Sequence, residues 1–254
     1  MTLLYTDDTV TLHEGDMRDV LPVLVAQGLR VDAVLADPPY EGTTHEWDRW
    51  PDGWPAVAAA AASSMWCFGS LRMFLDRRDE FTAWRLSHDV VWEKPNGTGF
   101  AADRFRGVHE QAAHWYRGPW KDVHHQTPRV AGTPRPSATI AARASIAHTG
   151  TINPGGYVYG DTRLARSVIF ARSMHRRTRG RNRTEKSAEI LGPLIEYAVP
   201  LGGVVLDPFA GSGATWETAR GLGRRVVLIE RDPACAADLA ARLAADRADP
   251  LPLC

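Results

Sequence analysis

The sequence predicts an α/β fold in which a mostly parallel sheet carries helices on both faces. Short segments rich in Val, Leu and Ile alternate with helical patterns over most of the 254 residues, and this alternation is typical of parallel sheets. Two of these segments end in distinctive turns, Asp37-Pro38-Pro39-Tyr40 and Asp207-Pro208-Phe209-Ala210-Gly211-Ser212-Gly213. The chain is long enough for one such domain with an insertion.

The first part of the chain supplies five strands and three helices of this prediction. Strands are predicted at residues 9–12, 31–36, 65–68, 88–93 and 109–116, and helices at 17–26, 54–63 and 71–84. The second strand stops at Asp37 because the prolines that follow cannot donate to a β-ladder. The tetrapeptide Lys94-Pro95-Asn96-Gly97 predicts a turn after the fourth strand.

The periodic pattern fades after Gly118, and residues 119–182 are predicted to be an insertion into the core. Five prolines fall between positions 119 and 154, and long irregular segments are usually functional or mobile. The segment from Lys121 to Arg183 contains one Lys, eleven Arg and two Asp, so its formal net charge is 12 − 2 = +10. Because the whole chain has a net charge of zero, the remaining residues carry −10. Such segregation favours a phosphate-bearing partner. An Arg-rich solvated loop is the alternative interpretation.

The regular pattern resumes after the basic segment. Strands are predicted at residues 167–171, 204–206 and 225–229, and helices at 186–198, 214–221 and 233–246. Residues 1–118 and 183–254 are therefore predicted to form the two halves of one core.

The three cysteines, Cys67, Cys235 and Cys254, form no Cys-x-x-Cys pair. They predict neither a metal centre nor a disulfide framework. No charged-then-apolar leader opens the chain, and the Ala-rich run at 56–62 is too short to span a bilayer. We therefore expect a cytoplasmic protein with no membrane partner.

The glycine turn has the sequence pattern of a ligand pocket. Gly211 and Gly213 lie between a strand and a helix, as in a Rossmann-type nucleotide site. The spacing differs from the Gly-x-Gly-x-x-Gly dinucleotide fingerprint, so no pyrophosphate cradle is indicated. Glu230 ends the next strand, where a carboxylate can accept hydrogen bonds from ribose hydroxyls. The alternative is that Glu230 and Asp232 only cap the helix that begins at Pro233.

The two turns together resemble those of a known family. Asp37-Pro38-Pro39-Tyr40 resembles the active-site signature of enzymes that methylate exocyclic amino groups of nucleobases, and the turn from Phe209 to Gly213 resembles the one that holds S-adenosylmethionine. The catalytic motif precedes the cofactor motif, as in the beta group of DNA amino-methyltransferases. The stretch from Glu41 to Asp48 is similar to phage and prophage members.

The resemblance implies the Rossmann-like fold of an S-adenosylmethionine-dependent methyltransferase, in a circularly permuted motif order, and it extends over residues 10–118 and 165–247. Residues 1–118 would be the catalytic half of the core, 119–182 a small target-recognition insertion and 183–254 the cofactor-binding half. Residues 91–97 and 108–111 resemble later core strands of the family, and we interpret them as sheet structure only.

The resemblance also implies which residues contact the cofactor. Asp207 offers a carboxylate to the methionine ammonium. Thr184-Glu185-Lys186 matches a Thr-Glu-Lys-Pro segment of the family, with Ser187 in place of its proline. Thr184 as a simple helix N-cap is the alternative. The full set of implied cofactor residues is Asp16, Thr184, Lys186, Asp207, Phe209, Gly211, Ser212, Gly213 and Glu230.

The implied catalytic residues are Asp37, Pro38, Pro39 and Tyr40. An exocyclic amine is a poor nucleophile because its lone pair is delocalised into the ring, so the enzyme must hold the amine by its hydrogens. The Asp37 carboxylate and the Pro38 carbonyl are two acceptors suited to two N–H donors, and the paired prolines stiffen their relative position. Tyr40 is suited to stack on the base. This chemistry requires neither a metal nor a covalent intermediate.

The implied substrate is adenine N6 in double-stranded DNA, because Asp-Pro-Pro-Tyr leans toward adenine within the family. The base must leave the duplex; Trp47 and Trp50 are candidates to assist, with loop packing as the alternative. Cytosine N4, RNA and a catalytically silent DNA-binding relative are the other interpretations. A homodimer and a cognate restriction endonuclease are further candidate partners. The residues predicted to contact DNA are Trp47, Arg163, Arg166, Arg172, Arg176, Arg177, Arg179 and Arg181.

Overall fold

The computed structural model describes residues 1–40, 49–98, 102–131, 162–172 and 185–248. The strands within these ranges are β1 (Thr2–Thr6), β2 (Val10–Glu14), β3 (Ala33–Ala36), β4 (Ser64–Gly69), β5 (Arg85–Thr98), β6 (Gly107–Tyr116), β7 (Arg129–Ala131), β8 (Thr162–Leu164), β9 (Val168–Phe170), β10 (Val204–Asp207) and β11 (Arg225–Glu230). The α-helices are α1 (Met17–Ala26), α2 (Trp54–Ala58), α3 (Leu71–Asp76), α4 (Ala188–Ala198), α5 (Ala214–Gly221) and α6 (Pro233–Ala248). No helix in this part of the chain has the length and hydropathy needed to span a membrane.

Nine of the described strands form one sheet in the order β1-β2-β11-β10-β3-β4-β6-β5-β9. The five strands from β2 to β4 in this order are parallel, and β9 is parallel to β5. β1 pairs antiparallel with β2, and β6 pairs antiparallel with both β4 and β5. The predicted mostly parallel sheet is confirmed.

Both faces of the sheet are covered by helices because the central strands are apolar on both sides. On β3, Leu35 joins a core that includes residues of α4, α5 and α6, whereas its neighbour Val34 joins a second core that includes residues of α1 and α2. β10 repeats this alternation with Val205 and Leu206. Burying each such side chain contributes about 1.5–3 kcal/mol, so the central strands hold both helix layers.

The parallel strands place several polar residues at one edge of the sheet. Asp207 and Glu230 are the last residues of β10 and β11, and Asp37 directly follows β3. The antiparallel β6 reaches the same edge with its N-terminal part, where Gln111 pairs with Gly69 at the end of β4. Residues far apart in sequence therefore meet at this edge, where ligands of open α/β sheets bind.

Most predicted elements are confirmed, but two helices are shorter than predicted. The helix predicted at 54–63 ends at Ala58, and the one predicted at 71–84 ends at Asp76, with a 3-10 turn over Arg78–Phe81. Leu71 and Leu75 are exposed, so the apolar pattern there does not mark a continuous core face.

The turn predicted at residues 94–97 is wrong. β5 continues through this tetrapeptide to Thr98, and its pairing with β6 shifts register between Glu93 and Thr98. A register irregularity accommodates Pro95, which cannot donate a ladder hydrogen bond. The edge strand β1 was not predicted because its residues are exposed or half-buried and show no clear alternation.

Residues Thr127–Arg166 form a separate compact unit. Its described part contains the antiparallel pair β7 and β8, and Arg129 donates hydrogen bonds from Nε to Thr162 Oγ1 and from Nη2 to the Thr162 carbonyl. This unit lies inside the segment 119–182 that the sequence marks as an insertion.

Candidate active site and cofactor pocket

A cleft of about 1290 Å³ opens at the carboxyl edge of the sheet. The predicted catalytic residues and most of the predicted cofactor residues line it, although β3 and β10 are far apart in sequence. Its lining includes Asp37, Pro38, Pro39 and Tyr40 of the first group, and Asp16, Lys186, Asp207, Phe209, Gly211, Ser212 and Glu230 of the second. Gly213 does not line the cleft, and Thr184 lies outside the described residues.

The glycine turn after β10 needs both of its glycines. Gly211 and Gly213 have φ angles of 48° and 79°, in the left-handed region that favours glycine. A Cβ on Gly213 would lie 2.5 Å from Cδ1 of Leu239 on α6. Gly213 therefore lets the turn pack on the last helix, while the neighbouring Gly211 and Ser212 face the cleft.

Asp207 is a buried carboxylate at the start of this turn. Its Oδ1 accepts a hydrogen bond from the Phe209 amide at 3.0 Å. Burial raises the pKa of Asp207 to about 7, with Asp37 and Glu230 adding to the rise and hydrogen bonds from Thr215 and Phe209 opposing it. A carboxylate held in this way gains from a positively charged ligand group beside it.

Glu230 is tied to the backbone through both carboxylate oxygens. Oε2 accepts from the Gly211 amide and Oε1 from the Asp232 amide, each at 2.7 Å. Burial raises the pKa of Glu230. Asp232 caps α6 by accepting from the amides of Ala234 and Cys235. The capping interpretation is thus confirmed for Asp232, whereas Glu230 joins the ends of β10 and β11 and lines the cleft.

Asp16 has a structural task as well as a place in the cleft wall. It is the N-cap of α1, and its Oδ1 accepts from the Arg18 amide at 2.9 Å. Its Oδ2 pairs with Arg18 Nη2 at 2.7 Å. The Arg18 hydrogen bond is the largest factor that lowers the pKa of Asp16, so this carboxylate is fixed in orientation and favoured as an anion.

Asp37, the first residue of the catalytic motif, is paired with Lys186. Nζ of Lys186 donates to Oδ2 of Asp37 at 2.5 Å. The Asp37 side chain keeps 34% of its surface exposed, whereas that of Lys186 keeps 8%. Lys186 was predicted to contact the cofactor; its described contacts place it beside Asp37, the carboxylate predicted to be catalytic.

Two further charged residues of the site were missed by the sequence interpretation. Glu110 on β6 lies 3.3 Å from Lys186 through its Oε2, and its Oε1 accepts a hydrogen bond from Lys94 on β5. The interpretation of residues 91–97 and 108–111 as sheet structure only is therefore incomplete. The available signal was the scarcity of lysine, since the sequence holds only three.

Burial and charge act in opposite directions on this cluster. Burial raises the pKa of Asp37, and Glu110 adds to the rise while Lys186 opposes it. Burial disfavours the charge of Lys186, but Asp37 and Glu110 outweigh it and raise the pKa of the ammonium. The pKa of Glu110 is lowered despite burial because Lys186 and Lys94 flank it. Lys186 is therefore held as a cation between two carboxyl groups.

The aromatic candidates differ in their surroundings. Tyr40 is half-buried against the second core and lines the cleft. Trp50 is buried, and its Nε1 donates to Glu80 Oε1 at 2.6 Å. The packing interpretation is thus supported for Trp50, although its edge reaches the cleft wall. Trp47 lies outside the described residues.

The arginines predicted to contact DNA divide into two groups. Arg163, Arg166 and Arg172 are exposed. The residues outside the described ranges are Arg176, Arg177, Arg179 and Arg181. In the part of the chain that the structure covers, no group of three or more His, Cys, Asp or Glu is arranged to hold a metal ion.

Comparisons with solved structures identify the fold. The complex of M1.HpyAVI with S-adenosylmethionine matches with a TM-score of 0.60 at 19% identity, covering 92% of this chain and 99% of that one. The cytosine-N4-specific PvuII DNA methyltransferase matches with a TM-score of 0.62 at 13% identity, covering 94% and 87%. The protein TTHA0409 from Thermus thermophilus, in complex with S-adenosyl-L-methionine, matches with a TM-score of 0.52 at 17% identity, covering 94% and 96%. The predicted Rossmann-like methyltransferase fold is confirmed.

Sequence comparison identifies the family. A search among curated proteins found no significant match. The family model N6_N4_Mtase, described as DNA methylase, matches residues 31–241, which is most of the chain. The chain therefore belongs to the N6-adenine and N4-cytosine DNA methylases, a family that transfers methyl groups to DNA from S-adenosylmethionine.

Proposed function

We propose that this protein methylates the exocyclic N6 of adenine in double-stranded DNA. The observation that carries the proposal is the position of Asp37 at the end of β3, in the same cleft as Asp207 and Glu230. A carboxylate suited to hold an amine thus lies beside a pocket suited to a cation. The choice of adenine rests on aspartate as the first residue of the motif.

The residues of the glycine turn fit S-adenosylmethionine. The buried Asp207, whose pKa is raised to about 7 by burial, gains from a cationic ligand, and the Gly211–Ser212 backbone allows close approach. In the proposal, Asp207 binds the methionine ammonium, Glu230 accepts from ribose hydroxyls, and Asp16 contacts the adenine ring. Bound there, the cofactor supplies an activated methyl group on its sulfonium.

The acceptor side of the cleft holds the target amine. The Asp37 carboxylate and the Pro38 carbonyl accept the two N–H groups and orient the nitrogen lone pair toward the cofactor side of the cleft. Tyr40 stacks on the flipped base. As the nitrogen–carbon bond forms, the bond between the methyl carbon and sulfur would break, and its electron pair would leave with sulfur in the neutral thioether S-adenosyl-L-homocysteine. The amine must release a proton, and Asp37 is the adjacent acceptor.

The DNA itself would be held by the basic segment. The exposed Arg163, Arg166 and Arg172 neutralise phosphates in this proposal, and the segment 119–182 serves as the target-recognition region. Replacing any one of these arginines with a neutral residue should weaken binding at every sequence and reduce its salt dependence.

The test is nucleoside mass spectrometry. Purified protein and S-adenosylmethionine are incubated with unmethylated plasmid DNA of mixed sequence, and the DNA is digested to nucleosides. N6-methyladenine is the expected product, absent from a parallel reaction with the Asp37→Ala variant. N4-methylcytosine would overturn the choice of base, and equal product from the variant would overturn the role of Asp37.

A further inference from the structure

The chain contains only three lysines, and two of them contact the carboxylate of Glu110. The sequence contains Lys94, Lys121 and Lys186, against 27 arginines. Lys94 and Lys186 both contact Glu110, whereas Lys121 is exposed. Apart from the exposed Lys121, the other Lys and Arg residues are all arginines, so this pairing indicates a task for which arginine is unsuited.

A row of alternating charge, here called the ion-pair row, ends at the first residue of the predicted catalytic motif. It consists of Lys94, Glu110, Lys186 and Asp37. Lys94 contacts Glu110, Glu110 lies 3.3 Å from Lys186, and Lys186 donates to Asp37 at 2.5 Å. The side chains of Lys94, Glu110 and Lys186 are less than a fifth exposed. Solvent and salt therefore screen these interactions little.

The ammonium groups of Lys186 and Lys94 each make a cation–π contact with an aromatic ring. Lys186 Nζ lies 4.9 Å from the ring centroid of Phe68, and Lys94 Nζ lies 4.6 Å from that of Trp92. Trp92 is itself held by a hydrogen bond of 2.8 Å from its Nε1 to the Ala171 carbonyl. These cation–π contacts add to the attraction of the carboxylates and restrict where each ammonium can lie.

The shape of an ammonium explains the choice of lysine. Its three N–H groups diverge, so Lys186 can address Asp37 and Glu110 in different directions, whereas the planar guanidinium of arginine presents a rigid fork that suits one carboxylate bidentately. A buried ammonium with one partner removed is strongly destabilised. Asp37 and Glu110 together thus stabilise the positive charge of Lys186.

We propose that Glu110 and Lys94 are positioning residues, which fix the ammonium of Lys186 so that it holds the Asp37 carboxylate with Oδ2 turned away from the substrate amine. Oδ1 then faces the amine as a fixed, charged acceptor, which binds an N–H more strongly than a neutral carboxyl oxygen does. This assigns Lys186 to the acceptor side of the cleft rather than to the cofactor. The catalytic consequence rests on the proposed function; the ion-pair row does not.

The charge of Asp37 depends on several groups around it. Lys186 and Lys94 favour its anion, whereas burial and Glu110 disfavour it. Within the described ranges, the titratable side chains that interact with Asp37 are Cys67, Lys94, Glu110, Lys186 and Asp207, and Tyr40 acts on its partner Lys186. Removing Lys186 should therefore make Asp37 harder to ionise, and neutralising Glu110 should make it easier.

The row can be tested first in the whole protein without DNA. With 15N-labelled lysine, the chain gives three Nζ signals. We expect slowly exchanging ammonium protons at neutral pH for Lys94 and Lys186, and fast exchange for the exposed Lys121. Glu110→Gln should speed exchange at both buried lysines, and Asp37→Asn at Lys186 alone. Ammonium protons of Lys186 that exchange as fast as those of Lys121 would contradict the ion-pair row. Exchange rates at Lys94 and Lys186 that Glu110→Gln leaves unchanged would contradict it too.

The second test measures the effect on methyl transfer. Single-turnover rates with tritiated S-adenosylmethionine and unmethylated plasmid DNA are recorded from pH 5.5 to 9. With S-adenosylmethionine saturating at every pH, so that the titration of Asp207 does not limit the rate, Lys186→Met should move the acid limb up, because Asp37 loses the cation that favours its anion. Glu110→Gln should move it down, with the KM for S-adenosylmethionine within about twofold in both variants. The exposed Lys121→Met is the matched control.

The outcomes separate this proposal from the proposed function. A raised KM for the cofactor in Lys186→Met, with the acid limb unmoved, would show a cofactor ligand and overturn the positioning role. Glu110→Gln, a conservative change, decides the question if Lys186→Met does not fold. Wild-type protein that fails to methylate DNA while its two buried lysines exchange slowly would contradict the proposed function and leave the ion-pair row standing.

Discussion

The two sides of the cleft treat buried charge differently. On the cofactor side, Asp207 and Glu230 accept hydrogen bonds from backbone amides, and Asp207 also accepts one from the Thr215 side chain. No lysine or arginine is paired with either carboxylate among the described residues. On the acceptor side, Asp37 and Glu110 are matched by Lys186 and Lys94. One side is left with negative charge, and the other is neutralised.

This difference fits the two ligands of the proposed reaction. A pocket with excess negative charge favours a ligand that carries an ammonium and a sulfonium. A site whose carboxylates and ammonium groups balance favours a neutral base, because a neutral ligand could not compensate an unpaired buried charge. The same edge of one sheet thus serves two kinds of ligand because different neighbours surround its carboxylates.

The largest expected effect comes from removing the acceptor carboxylate. Asp37→Ala should lower single-turnover methyl transfer by about a thousandfold, because the amine loses its charged acceptor. Binding of S-adenosylmethionine, measured by calorimetry, should change by less than about threefold. A comparable loss of cofactor affinity would mean that the two sides are not separable.

The glycine turn should show a large effect on stability. Gly213→Ala combines a positive φ with a Cβ 2.5 Å from Leu239, and we expect the free energy of unfolding to fall by about 2–4 kcal/mol. Gly202→Ala is the matched control, since Gly202 has a similar φ of 74° with no atom near its Cβ position. It should cost about 1 kcal/mol. Equal losses in urea unfolding would contradict the role of the contact with Leu239.

Asp207 should make cofactor binding depend on pH. Its pKa is about 7 because of burial, so below pH 7 the carboxyl is mostly neutral and attracts a cation weakly. Affinity for S-adenosylmethionine should rise from pH 6 to 8 and then level, by up to about tenfold per unit below pH 7. Asp207→Asn should weaken binding by about 1.5–3 kcal/mol and flatten this dependence. A variant with the wild-type pH profile would assign the titration to another group.

The smallest effect concerns Asp16, which is both a helix cap and a cleft residue. Asp16→Ala should cost about 1 kcal/mol of stability through loss of the α1 cap, whereas Asp16→Asn retains a capping oxygen and should cost a few tenths. Thermal unfolding distinguishes the two variants. If Asp16 contacts the cofactor adenine, cofactor affinity should fall in the alanine variant beyond what its stability loss explains; unchanged affinity would restrict Asp16 to capping.

The sequence predicts the cofactor side better than the acceptor side. Asp207, Gly211 and Glu230 lie on consecutive elements, so their meeting follows from the geometry of a strand, a turn and the next parallel strand. Asp37 is predicted for the same reason, as the end of an apolar strand followed by prolines.

The acceptor side depends on long-range pairing that local patterns do not encode. Glu110 reaches Asp37 because β6 inserts antiparallel beside β4, and Lys94 reaches Glu110 because β5 continues past Glu93 beside β6. The predicted turn at residues 94–97 would have removed Lys94 from the sheet. Lys186 was assigned to the cofactor by its neighbours in sequence, whereas its described ion pairs are with Asp37 after β3 and Glu110 on β6.

The hydrogen bond from the Gly211 amide to Glu230 has a kinetic and entropic consequence. Because this bond and the Asp232 amide fix the carboxylate before any ligand arrives, the turn is preorganised. Ordering one backbone residue costs about 1–2 kcal/mol in entropy, so a cofactor that meets an ordered turn avoids that loss. Glu230→Gln would keep the shape of the side chain, but at Oε1 or Oε2 an amide NH₂ would face a backbone N–H. We expect slower cofactor association, because each encounter would have to wait for the turn to fold around its ligand.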